Sequence, residues 1–113
     1  MNRFLMSAGV LIVSLTTPAA SQSFWNGNEL LEICTSKSDD YCGGYIVGVF
    51  DSALPVIEEG NSVHGFQFCA PLEVQQGQVR DIVVQWLRNN PGKRHYPAPA
   101  VVMLALSDTY PCR

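Results

Sequence analysis

The chain has 113 residues, 47% of them hydrophobic, and a formal net charge of −3, which suits one small domain. Seven basic against ten acidic side chains argue against nucleic acid and against anionic membrane surfaces, both of which call for a basic patch.

The first residues stand apart from the rest. MNR carries positive charge, FLMSAGVLIVSL is an apolar run, and TTPAAS is small and polar. That order is the layout of a secretory signal peptide, and the run is far shorter than the ~20 residues of a membrane-spanning helix. Cleavage is expected after Ala19, Ala20 or Ser21, with the Ala19-x-Ser21 pattern favouring the last. Residues 1–21 are then the signal peptide and residues 22–113 a single exported domain with no membrane segment left. Removal of Arg3 makes that domain more acidic still.

Cys34, Cys42, Cys69 and Cys112 all lie in the exported part. An even number of cysteines in a small exported chain reads as two disulfides. Gaps of seven, twenty-six and forty-two residues, without C-x-x-C or H-x3-H, disfavour a zinc site, and no metal or other cofactor is expected.

QSFWNG reads as a short linker. In NELLEICTS, Asn28 suits an N-cap, Glu29 and Glu32 suit the first turn, and Leu30, Leu31 and Cys34 share a face, giving a first helix over residues 28–36. After the polar joint SKSDD, Ser38 or Asp39 caps a second helix. Its apolar residues from Tyr41 to Leu54 recur at three and four positions, a helical period. Pro55 marks its last turn. EEGNSVHGFQF is a loop broken by Gly60 and Gly65. In QVRDIVVQWLRNN, residues Val79, Ile82, Val83, Trp86 and Leu87 form the cleanest amphipathic stripe, and NNPG stops the helix. KRHYPAPA is a loop in which Pro97 or Pro99 starts a last helix. That helix places Val102, Ala105, Leu106 and Tyr110 on one face, and Pro111 and Cys112 follow it.

The fold class expected is therefore all-α, a small disulfide-stapled bundle of about four helices with short connections. Four cysteines allow three pairings. An up-down arrangement brings Cys34 to Cys42 and Cys69 to Cys112. Loop entropy alone gives roughly 2.6 kcal/mol for the short loop and about 4 kcal/mol for the long one.

The second helix contains CGGYIVG, whose glycines disfavour a helix by about 1 kcal/mol each. Gly44, Gly48 and Ser52 recur every four residues, so they line a stripe on which another backbone can approach closely. Helix three, helix four or a second subunit is the expected neighbour. Gly43 is expected to leave room for the disulfide at Cys42. The opposite side carries Tyr45, Ile46, Val49 and Phe50.

Catalytic signals are thin. His64 and His95 fall in loops, no G-x-S-x-G is present, and GGYIVG lacks the lysine of a phosphate loop. Asp51 and Asp81 either pair with Arg80 or Arg88 or face water. An enzyme is not expected. The stronger candidate is recognition by Lys93, Arg94, His95 and Tyr96, packed onto one exposed turn.

The segments CGGYIVGVFDSA, FCAP, QVRDIVVQWLRNNPGKRHYPAPAVVMLAL and YPC together resemble the Rap/Tai family of immunity proteins, from about Asn28 to Cys112. The family pattern C-x-G-Y-I-x-G-x-x-D falls on Cys42, Gly44, Tyr45, Ile46, Gly48 and Asp51. Its later motif falls on Pro91, Arg94, His95, Pro97 and Ala98. Trp86 stands where a tyrosine is usual, and Asn90 where a histidine is. The resemblance implies an exported, mostly helical and often dimeric protein of the periplasm. It also implies a protein that binds and blocks a type VI secretion amidase toxin rather than an enzyme. A projecting loop would enter the toxin's cleft, with Asn90–Pro97 preferred over Glu59–Phe68. The other reading is a toxin-independent envelope protein, a stress or chaperone-like binding module.

Overall fold

In the computed structural model, which describes residues 7–14, 23–36 and 39–113, the chain forms four α-helices and one short 3-10 turn. These are α1 (Gly27–Thr35), α2 (Asp39–Glu58), α3 (Gln76–Asn89), the turn Pro91–Lys93, and α4 (Ala98–Thr109). Among the described residues the only β pairing is two isolated bridges, Asn26 with Pro97 and Val63 with Phe66. The candidate cleavage residues and the candidate cap Ser38 lie outside the described residues. The apolar residues Val10, Leu11, Ile12 and Val13 are exposed and take no regular structure.

The start of α1 differs from expectation. Asn26, not Asn28, is the N-cap, and it closes a capping box with Glu29. The Glu29 amide donates to Asn26 Oδ1 at 3.0 Å, and the Asn26 amide donates to Glu29 Oε2 at 2.8 Å. Two orphan donors are satisfied reciprocally, which fixes where the helix begins.

Helix α2 keeps Pro55 inside its last turn and ends on Gly60, whose φ of 84° is readily adopted by glycine. The Gly60 amide donates to Ile57 O at 2.9 Å and the Asn61 amide to Val56 O at 3.0 Å, the bond pair of a Schellman stop.

A simple up-down order does not describe the connection that follows. Gly27 lies against Leu87, and Arg80 Nη2 donates to Cys34 O at 3.0 Å, so α3 runs antiparallel to α1. Helix α2 leaves α1 through a tight disulfide-closed joint and runs back along it, as the Trp25–Tyr45 ring contact shows. Consequently α2 and α3 point the same way, and residues 59–75 must return along α2. Phe68 marks that return, buried with its ring 4.8 Å from that of Phe50.

Helix α4 is the centre of the core. Ala98, Val101, Val102, Met103, Ala105 and Leu106 are all buried, beyond the single face expected, because α4 packs against the three other helices. A helix buried this widely is apolar on most sides. Leu30, Ile46, Val83 and Leu87 complete the core around it, each contributing roughly 1.5–3 kcal/mol by leaving water. Two disulfides staple the bundle: Cys34 with Cys42, and Cys69 with Cys112. The second anchors the chain after α4 to the returning segment, where the Cys69 amide also donates to Tyr110 O at 2.8 Å.

Candidate partner-binding surface

Two loops follow helices that run away from the Cys34–Cys42 staple, so both lie at the far end of the bundle. The first is residues 59–68. His64 and Gly65 have φ of 52° and 82°, and the Val63 and Phe66 amides and carbonyls exchange bonds of 2.9 and 3.0 Å. This is a two-residue hairpin whose paired positive φ values mark the primed turn. Its tip, His64 and Gly65, is exposed, and Gln67 Nε2 braces its base by donating to Asn61 O at 2.9 Å.

The second loop, residues 90–97, is tied down at both sides. Asn90 Nδ2 donates to Trp86 O at 2.8 Å. Arg94 Nε donates to Leu87 O at 2.6 Å and its Nη2 to Arg88 O at 3.1 Å. These are carbonyls of the last turn of α3, which lack helical partners and favour a cation beside them. On the other side, the Gly27 amide donates to Tyr96 O and the Asn28 amide to Arg94 O, each at 2.9 Å. The loop thus supplies acceptors to the first turn of α1, which lacks them.

Of the four residues singled out in KRHYP, the structure separates one from the other three. Arg94 is half-buried and holds the loop from inside. Lys93, His95 and Tyr96 present their side chains outward, with the rings of His95 and Tyr96 in an edge contact at 4.6 Å.

The glycine stripe has a different setting from the one expected within the chain. Gly44, Gly48 and Ser52 are exposed, and a Cβ added at Gly44 or Gly48 would meet nothing within 4 Å. Neither α3 nor α4 packs there. Cys42, Ile46 and Ala53 set the buried face of α2, and residues two positions on from Cys42 and Ile46 point away from it. A Cβ added at Gly43 would meet Gln76 Nε2 at 3.9 Å, an ordinary contact. The glycine that a close approach does require is Gly27, where a Cβ would stand 2.7 Å from Arg94 O.

The ionic expectations resolve simply. Asp51 is exposed, and Asp81 meets Arg80 at 3.4 Å while remaining 79% exposed, a pair of little energetic weight. Trp86, at a position where the resembled family usually has tyrosine, donates from Nε1 to Asp108 Oδ2 at 2.8 Å and so links α3 to α4.

Sequence reasoning missed Trp25, Asn26 and Gly27, which were read as a linker. The signal was present: Asn26-x-x-Glu29 is a capping-box spacing. The ring of Trp25 lies 4.9 Å from that of Tyr45, and burial there raises the Tyr45 hydroxyl above its usual pKa.

The family model of the Rap1a immunity proteins matches residues 26–112, almost the whole helical domain and both loops. The chain belongs to the Rap1a immunity protein family. Membership of an immunity family implies a protein that acts against a toxin, as an inhibitor rather than an enzyme. No curated protein and no solved structure matches the chain.

Proposed function

We propose that this Rap1a family member acts in the periplasm, where it binds and sterically blocks a peptidoglycan amidase toxin of a type VI secretion system. The observation that carries the reading is the family match over residues 26–112. It includes the loop whose Lys93, His95 and Tyr96 are exposed on a backbone fixed from both sides. A blocking loop must be ordered before binding, because ordering it on contact would reduce affinity.

Export in this proposal is through a signal peptide over residues 1–21. Two observations support it. The apolar residues Val10–Val13 are exposed and join no core, and all four cysteines are disulfide-bonded, a state that persists in oxidising compartments. The test is co-expression with a type VI secretion amidase, beginning with any amidase reading frame found beside this gene. The full chain should rescue cells from a periplasm-directed toxin. A chain lacking residues 1–21 should stay in the cytoplasm and fail to rescue. Rescue by the leaderless chain would contradict the periplasmic part, and failure of both would contradict the amidase part.

A further inference from the structure

Three aromatic side chains, Trp25, Tyr41 and Tyr45, converge on a surface concavity of about 340 Å³ between the entry to α1 and the first turns of α2. Gly44 forms part of its wall, and Asp40 stands at its edge. Tyr41 is 70% exposed, so a large ring is held in water beside two partly buried ones. A second cleft shares Trp25 and Tyr41 and adds the carboxylate of Glu32. Among the described residues, no lysine or arginine lines either cleft.

Asp40 and Glu32 are the carboxylates beside the rings, and they belong to the more acidic part of the sequence. Residues 23–62 carry seven carboxylates and one base, whereas residues 63–113 carry three carboxylates and five bases. The acidic half is the one that builds the aromatic concavity. Aromatic ring faces are negative and attract ammonium or guanidinium groups. A nearby carboxylate strengthens that preference, and unpaired glycine on the wall lets another backbone approach.

We propose that this concavity receives a lysine or arginine side chain of a protein partner. It lies at the entry to α1 and the first turns of α2, is not lined by Lys93, His95 or Tyr96, and would give the partner a further point of attachment. The inference goes beyond the amidase reading and does not depend on which toxin is bound. Neutral apolar chains would fill the ring surface but leave Asp40 and Glu32 without a counter-charge.

Trp25 supplies the readout. Trp86 is the internal control, since it is buried and its indole N–H is bonded to Asp108. Protein purified from cells expressing the full chain is titrated, with the indole N–H resonances followed by NMR. The probes are choline, its neutral isostere 3,3-dimethylbutan-1-ol, and Nα-acetyl-lysine methylamide. Choline and the lysine derivative should shift Trp25 saturably and leave Trp86 unmoved, while the isostere should not saturate. Tyr41→Ala should weaken choline binding roughly three- to tenfold. The double variant Asp40→Asn/Glu32→Gln should weaken it roughly two- to fivefold. Tyr41, Asp40 and Glu32 are exposed, and an unchanged Trp86 resonance verifies the fold. Equal saturation by the isostere would overturn the proposal in favour of a merely apolar patch. Saturation by phosphatidylcholine vesicles with none by the lysine derivative would overturn it in favour of a lipid surface. None of these readouts uses the toxin, so a failed amidase test leaves them interpretable.

Discussion

Gly27 and Arg94 are in backbone contact: a Cβ on Gly27 would stand 2.7 Å from Arg94 O and 3.0 Å from its Cα. Residues 67 apart in the chain are thereby locked, with the start of α1 serving as the platform for the 90–97 loop. Both obstructing atoms are backbone, so neither can swing aside. Gly27→Ala should destabilise the protein by about 1–3 kcal/mol, the usual range for forced overpacking. Urea unfolding measures this. A variant as stable as the parent would show that the loop shifts freely on α1.

Arg94 and its neighbours should separate stability from binding. Arg94→Ala removes two bonds to the α3 terminus and should reduce stability by about 1–3 kcal/mol. Lys93→Ala and His95→Ala remove exposed side chains and should stay within about 0.5 kcal/mol of the parent. Thermal unfolding distinguishes the two classes. Equal losses at all three positions would contradict the assignment of Arg94 to the scaffold.

The exposed glycines of α2 invite the opposite change. With open space at both positions, Gly44→Ala or Gly48→Ala should stabilise the helix by about 0.5–1 kcal/mol. Gly48→Leu should also remain folded by circular dichroism. Unfolding of that variant would mean that a neighbour does pack on the stripe. A change in sedimentation without unfolding would identify that neighbour as a second copy.

The two staples should differ in consequence. Their sequence separations are 8 and 43, so chain entropy predicts roughly 2.6 kcal/mol lost on removing Cys34–Cys42 and about 4 kcal/mol on removing Cys69–Cys112. Paired Cys→Ala variants in urea provide the comparison. A larger loss at the short staple would show that native packing, rather than loop closure, sets the order.

Much of the fold was legible because helical periodicity is local. Val79, Val83 and Leu87 announce the buried face of α3, and Pro97 with Pro99 announce the start of α4. The return of residues 59–75 along α2 was not legible, since nothing in EEGNSVHGFQF fixes the direction of the helix after it. The glycine stripe shows the same limit from another side. A four-residue repeat identifies one face of a helix, but whether that face meets protein or water depends on elements far away in sequence. At the loop, KRHYP was recognisable as a group, yet the inward turn of Arg94 depends on where α3 ends. Gly27 was invisible because its neighbour, Arg94 O, arrives from the other end of the domain.

Whether the fixed loop blocks a toxin is decided by calorimetry with purified type VI secretion amidases, beginning with any whose reading frame is found beside this gene. Saturable binding accompanied by loss of amidase activity is the expected result. Both should be abolished, or weakened at least about tenfold, when residues 93–96 are replaced by Gly-Ser in a chain that still folds. Unchanged binding and inhibition by that variant, or no binding by the parent, would contradict it.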